Sequence, residues 1–216
     1  MYGKFITFEG GEGSGKSTQV QMLSDYLDSK GYPVISTKEP GGTPLGQEIR
    51  KMLVCGDTNK MDAITETLLY FADRHTHLEQ KIWPALQSGK IVISDRFADS
   101  TVAYQCYGYQ KKISQNTINE IYKIAVGDFK PDLTIILDIE PQKGLKRSFA
   151  KAQTQEVKEL RFESQDLIFH QNLRQGFLDI AKNDPQRCVI LNADQPQETL
   201  HQEIIKVVNF LKHVAS

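Results

Sequence analysis

One stretch constrains this chain more than any other: Phe5-Ile6-Thr7-Phe8-Glu9-Gly10-Gly11-Glu12-Gly13-Ser14-Gly15-Lys16-Ser17-Thr18. A strand-like apolar run ends in glycines, and helical periodicity begins directly after them. Gly10, Gly11, Glu12, Gly13, Ser14, Gly15, Lys16 and Ser17 fit G-x-x-x-x-G-K-[ST], the phosphate-binding loop. Glycine admits positive φ, so backbone N–H groups can converge on a phosphate. A helix opening near Gly15 adds the positive end of its dipole. Lys16 would reach the β- and γ-phosphates and Ser17 would hold Mg²⁺, with Thr18 next in the same turn. The loop therefore implies ATP or a similar triphosphate with Mg²⁺, and leaves the phosphoryl acceptor open.

Strand-like runs alternate with helical patterns along the rest of the chain, which predicts a parallel α/β sheet. Five strands are expected, at Lys4–Phe8, Pro33–Thr37, Ile91–Ser94, Leu133–Leu137 and Val189–Leu191. Helices are predicted from Gly15 to Ser29, Leu45 to Leu53, and Ala63 to Gln87 with breaks near His75 and Pro84. Further ones cover Asp99 to Tyr104, Ser114 to Val126, Pro141 to Ala150, a segment ending near Lys182, and Pro196 to Val214. This is the P-loop NTPase fold: a five-stranded parallel sheet flanked by helices, with a lid segment at about 147–162, in one domain. Lys151 to Leu160 has little apolar periodicity and reads equally as a mobile lid or an ordinary surface loop. Asn59-Lys60-Met61-Asp62 matches the guanine-reading N-K-x-D, but no apolar strand precedes it, so it is read as a coincidental loop.

A net charge of −1 argues against a broad nucleic-acid or membrane-surface partner. No apolar run approaches the ~20 residues of a membrane span, and the chain enters its first strand without a signal-peptide pattern. Cys55, Cys106 and Cys188 are widely spaced, so a reducing cytoplasm is expected rather than a disulfide framework. His75 and His77 are two apart, on different faces of a helix, and are read as surface or capping residues.

Phosphoryl transfer needs a metal anchor, cationic clamps and an acceptor seat. Two strands end in aspartate, at Asp95 and Asp138, and ligands of α/β sheets lie at the carboxyl ends of strands. Asp95 is the better anchor, since Arg96 beside it would bring a cation to a phosphate. Asp138 can instead cap a helix. Arg50, Arg74, Arg96, Arg147 and Arg161 all fall near loops or helix ends flanking the strands. A guanidinium grips phosphate through a bidentate fork, and this set suits two phosphorylated substrates. Glu12 is unexpected beside bound phosphate and needs another task, such as meeting the acceptor or the metal's water shell.

With these residues the chain resembles the bacterial thymidylate kinase (dTMP kinase) family over nearly its full length. The matching stretches are Phe8-Glu9-Gly10 with Gly13 to Thr18, Glu39-Pro40-Gly41-Gly42-Thr43, and Leu69-Tyr70-Phe71-Ala72-Asp73-Arg74. Asp95-Arg96-Phe97 with Ser100, Tyr104 and Gln105, and Arg161-Phe162-Glu163, complete the set. The resemblance implies transfer of the ATP γ-phosphoryl to dTMP with Mg²⁺. It further implies that Phe71 stacks on thymine, Arg74 bonds a base carbonyl, and Arg50 and Arg96 hold the monophosphate. Ser100 and Gln105 would face the base and Tyr104 the sugar at C2′. Glu12 would lie near the 3′-hydroxyl, and Glu39 near the monophosphate and its metal or water shell. Members of the family are commonly homodimers.

The family divides by where its catalytic arginine sits. Gly10 to Ser17 contains none here, so the chain resembles the lid-arginine type, with Arg161 the first candidate and Arg147 the second. Lid closure would then bring a cation to the transferring phosphoryl and exclude water. Leu160 stands where many relatives carry aspartate, and Lys151 and Lys158 make the lid richer in lysine.

Overall fold

A computed structural model of the chain describes residues 3–55, 60–109, 113–153 and 161–214, with side chains of the last helix to Asn209. Asn59 of the N-K-x-D stretch and the lid centre at 154–160, including Lys158 and Leu160, lie outside the described residues.

Five parallel strands form one sheet in the order β2-β3-β1-β4-β5. They are β1 (Phe5–Glu9), β2 (Val34–Lys38), β3 (Ile91–Asp95), β4 (Leu133–Asp138) and β5 (Cys188–Asn192). β1 lies at the centre, with Phe8 opposite Asp95 on one side and Ile135 on the other. The loop after β1 therefore opens at the crevice where connections diverge to the two faces, the ligand position of such sheets.

Alternation along the strands explains the layering. Ile6 and Phe8 of β1, with Ile135 and Leu137 of β4, face α1 (Lys16–Ser29) and α9 (Gln197–Val214), where Leu23, Leu27, Leu200 and Ile204 are buried. Phe5 and Val92 face the other side, with Leu78, Ile82, Leu86 and Phe97. α2 (Pro44–Val54) and α3 (Ala63–His77) border this second layer. The predicted long helix from Ala63 changes character at Leu78–Ile82, which is π-helical, before α4 (Trp83–Gln87). The backbone stays helical through Ile82 and Trp83, so the expected break at Pro84 is replaced by the π-helical turn directly before it, Pro84 having no N–H to give to that turn.

α5 (Ala98–Val102) runs into a second π-helical turn, Ala103–Gly108. α6 (Gln115–Val126) begins on the Ser114 cap, whose side chain accepts from the Thr117 N–H. α7 (Pro141–Ala152) precedes the lid, and α8 (Leu167–Asn183) follows it. Among the described residues no helix is long and apolar enough to cross a membrane.

α7 meets the phosphate loop backbone to backbone. A Cβ on Gly13 would fall 1.9 Å from the Gly144 carbonyl oxygen, and one on Gly144 would fall 2.4 Å from that of Glu12. The second layer also holds a polar seam. Thr7 and Thr134 share a 2.8 Å hydroxyl contact, and Arg187 donates to Asp99 at 2.6 and 3.1 Å. Glu9 ends β1 with 0% exposure, accepting from the Phe97 N–H at 2.8 Å and from the Ser100 hydroxyl. Burial, and then Asp99 nearby, push its carboxyl up to about 8.

Two outcomes follow from this packing. Gly144→Ala is expected to cost about 1–3 kcal/mol through overpacking against backbone, read as a lower Tm; an unchanged Tm would show that α7 can shift freely. The raised pKa of Glu9 means the folded state holds its proton more tightly than the unfolded chain. Its contribution is full below the ordinary value of 4.5 and is lost as pH rises through about 8. Glu9→Gln, neutral at every pH, is expected to flatten the decline of Tm across that window, which thermal denaturation in a pH series checks.

Candidate active site

Positive φ at Gly10 (135°), Gly13 (66°) and Gly15 (91°) curls the loop between β1 and α1. Lys16 turns back into that curl, donating to the carbonyls of Gly10 at 3.1 Å and Gly11 at 2.8 Å and to the Ser14 hydroxyl at 3.2 Å. Burial first, then the neighbouring Arg96 charge, bring its ammonium down to about 8. The Ser17 hydroxyl donates to Asp95 Oδ2 at 2.6 Å, so the two predicted metal-holding residues come together. A hydroxyl and one carboxylate are hard oxygen donors that suit Mg²⁺, whose other positions are ordinarily filled by phosphate and water.

Arg96 is, among the described residues, the one non-glycine with positive φ, at 73°. That turn directs its guanidinium across the mouth of the loop. Nη1 donates to the Gly10 carbonyl at 3.1 Å and to Ser100 Oγ at 2.9 Å; Nη2 donates to Glu12 Oε2 at 2.8 Å and the Tyr104 hydroxyl at 3.0 Å. Tyr104 in turn donates to Glu12. Burial opposes ionisation of Glu12, but Arg96 and Lys16 outweigh it and hold its carboxyl below the usual range.

A cavity of about 330 Å³ opens beside this cluster, lined by Glu12, Glu39, Arg50, Arg74, Arg96, Ser100 and Tyr104 of the predicted acceptor set. A second, of about 500 Å³, runs along Gly13 to Thr18 and is closed by Arg147 and the segment from Ala193 to Gln197. Lys16, Ser17, Ser148 and Lys151 line both cavities. The molecule thus has two adjoining compartments that meet at the phosphate-loop lysine.

Several predicted residues lie elsewhere. Phe71 is 2% exposed and packs in the core against Tyr122 and under the Arg74 guanidinium, 4.7 Å from its ring centre. Tyr70 lines the acceptor cavity instead. Tyr70 and Phe71 stand four and three residues before Arg74, so helical spacing puts both near its face and gives no signal that separates them. Gln105 is fully buried and donates to Glu66 at 3.0 Å, away from the cavity.

Arg161 is also turned inward. It donates to the Leu53 carbonyl at 2.7 Å and to the buried Glu66 at 2.6 Å, and lines neither cavity. Arg147 reaches the Ala193 carbonyl at 2.9 Å and Asp194 at 3.2 Å on the donor side. Asp138 does not cap a helix: Arg174 grips it at 2.7 and 2.9 Å, and Glu140 stands at the start of α7. His77, read from sequence as a surface or capping residue, is 0% exposed. Lys38, Thr101, Phe162 and Glu163 join the acceptor lining without having been singled out for it; Lys38 had a signal in its place at the carboxyl end of β2.

Arg74 is 1% exposed and held on three sides. Nε donates to Glu39 Oε2 at 2.9 Å, Nη2 to Thr101 Oγ1 at 3.2 Å, and the ring of Phe97 lies 5.1 Å from its carbon centre. Its Nη1 is buried without a hydrogen-bond partner. A buried unpartnered donor on a cavity-lining residue is a point of attachment for a ligand acceptor.

The thymidylate kinase family profile matches residues 8–204. A thymidylate kinase of Maridesulfovibrio salexigens is 44% identical over 211 residues, covering 96% of each chain. One of Bacillus cereus strain Q1 is 44% identical over 208 residues, covering 96% of this chain and 98% of its own. The crystal structure of thymidylate kinase from Ehrlichia chaffeensis superposes with a TM-score of 0.77 at 36% identity, covering 97% of this chain and 99% of that one. The chain belongs to the thymidylate kinase family, and is a nucleoside monophosphate kinase that phosphorylates dTMP.

Proposed function

We propose that the two adjoining compartments hold ATP and dTMP for direct transfer, with the reacting phosphates meeting at Lys16. The shared lining of the cavities by Lys16, Ser17 and Lys151 is the observation that supports this most directly. An oxygen of the dTMP phosphate attacks the γ-phosphorus of ATP; the bond to the β,γ-bridging oxygen breaks, giving dTDP and ADP. Little covalent work falls to the protein, so its contribution is placement and charge.

On the donor side, Gly10 to Thr18 cradle the triphosphate and Lys16 leaves its carbonyl partners for the β- and γ-oxygens. Ser17 and Asp95 would hold Mg²⁺, which when bound neutralises charge on the phosphates. On the acceptor side, Arg50, Arg96 and Lys38 hold the monophosphate. Tyr70 stacks on thymine, and Arg74 Nη1 donates to a base carbonyl. Tyr104 sits under C2′, and Glu12, kept ionised by Arg96, accepts from the 3′-hydroxyl. Arg147 and Lys151, on α7 at the donor cavity and the junction, supply the lid cation. Arg161 braces the site through Glu66. A homodimer in a reducing cytoplasm belongs to the same reading, supported by exposed Met52, Ile64 and Leu68 on neighbouring helices and by three free cysteines.

A coupled ADP-release assay tests this. Turnover with dTMP and none with thymidine, AMP or GMP is expected; slow hydrolysis indifferent to dTMP would overturn it. Arg147→Ala is expected to lower kcat by about 10³-fold, the order of a transition-state arginine, with little change in Tm. Arg161→Ala should instead strand the Glu66 carboxylate and cost about 3–5 kcal/mol of stability, so thermal denaturation and kcat measured on both variants separate the two roles.

A further inference from the structure

Glu39 lines the acceptor cavity at the end of β2, yet both its carboxylate oxygens are engaged inside the protein. Oε2 holds Arg74 Nε at 2.9 Å, and Oε1 lies 2.9 Å from His77 Nδ1. A carboxylate can only accept, so Nδ1 carries the proton and donates to Glu39. The other ring nitrogen, Nε2, lies 2.7 Å from the Thr37 hydroxyl, which can donate to it. Both polar ends of the imidazole are thus partnered by residues of one short segment, Thr37 and Glu39, while the ring itself belongs to α3.

The segment is wrapped tightly around that ring. A Cβ on Gly42 would lie 2.3 Å from His77 Nε2, so the turn after Glu39 closes over the imidazole with no room for a side chain. Asp73, next to Arg74, accepts from the Gly41 N–H at 3.1 Å, and Arg50 donates to the Pro40 carbonyl at 2.9 Å. The turn is therefore fixed from α3 on one side and α2 on the other. His77 and Arg74, three apart, lie on one face of α3 and share Glu39 between them.

We propose that His77 is a positioning residue for base discrimination: by occupying one oxygen of Glu39 it confines the other to Arg74 Nε, and so aims Arg74 Nη1 at the base. This rests on the assignment of Arg74 as the base-reading residue. Without the imidazole, the freed oxygen can swing to Arg74 Nη2, the donor adjacent to Nε, in competition with Thr101. The guanidinium also packs on two rings, its carbon 4.7 Å from the centre of Phe71 and 5.1 Å from that of Phe97, contacts that do not fix its rotation as hydrogen bonds do. Such rotation redirects Nη1, the donor that favours a carbonyl oxygen over an amino group on the base.

Steady-state kinetics of the full chain with dTMP and dCMP test this. His77→Phe is expected to raise KM for dTMP about 10-fold or more with kcat changed less than about 3-fold, a loss of ground-state and transition-state binding alike. The dTMP-to-dCMP ratio of kcat/KM should fall with it, and His77→Asn, whose amide nitrogen can take the place of Nδ1, should restore most of both. A lowered Tm with KM and the ratio unchanged would overturn the proposal. Arg74→Met provides the separating arm: if it abolishes the discrimination and His77→Phe does not, the role of His77 fails alone. If neither changes it, the base-reading assignment of Arg74 fails first. Should His77→Phe not fold, Thr37→Val, which removes the hydroxyl orienting the ring, carries the same expectation and the same overturning result.

Discussion

The site depends on one guanidinium. Arg96 leaves the end of β3 with a positive φ that a side-chain-bearing residue adopts only under constraint, and its four hydrogen bonds supply the constraint. They reach the loop after β1, the carboxylate within that loop, α5 and the π-helical turn beyond it. Burial depresses the Lys16 ammonium and the same charge lowers it further; together with Lys16, that charge keeps Glu12 ionised. Two cations facing the one carboxylate of Glu12 leave an excess of positive charge even while Glu12 is ionised. A bound monophosphate would alter that balance by adding negative charge where Arg96 already commits two donors to its own backbone loop and carboxylate.

Around this centre the buried polar groups divide into two supports. Glu39 joins β2 to α3 through Arg74 and His77. Glu66 joins α3 to the lid's far end through Arg161 and to the π-helical turn through Gln105. Glu39 lines the acceptor cavity and Glu66 does not, and both are satisfied inward. Ion pairs so deeply buried add little net stability over an apolar core, but each is costly to break on one side only. Such pairs serve to fix geometry, and here they hold the aromatic and cationic faces of α3 at a set angle to the cavity.

Much of this was legible in the sequence, and the limits are physical. The five strands were visible because buried parallel strands are short continuous apolar runs, and Asp95 and Arg96 were found because strand ends face the crevice. The phosphate loop carries its own signature in glycine spacing. Side-chain direction was harder. Phe71 and Tyr70 are adjacent aromatics three and four residues before Arg74, so spacing alone does not tell which one lines the cavity. Harder still were partners distant in sequence. Arg161 pairs with Glu66 across 95 positions and His77 with Glu39 across 38. Neither pairing leaves a local pattern, so a guanidinium that braces and one that catalyses look alike until the chain is folded. The strand order β2-β3-β1-β4-β5 also had no local trace.

The backbone contact between Gly13 and Gly144 has a mechanical consequence. At that contact α7 meets the phosphate loop with no side chains between to deform. Arg147 and Lys151 lie three and seven residues beyond it, about 4.5 and 10.5 Å along the helix axis. A tilt of about 10° about that seat moves Arg147 by less than about 1 Å and Lys151 by about 2 Å. Any rocking about that seat would therefore be graded along the helix, smallest at Arg147 beside one cavity and larger at Lys151, where the two cavities join.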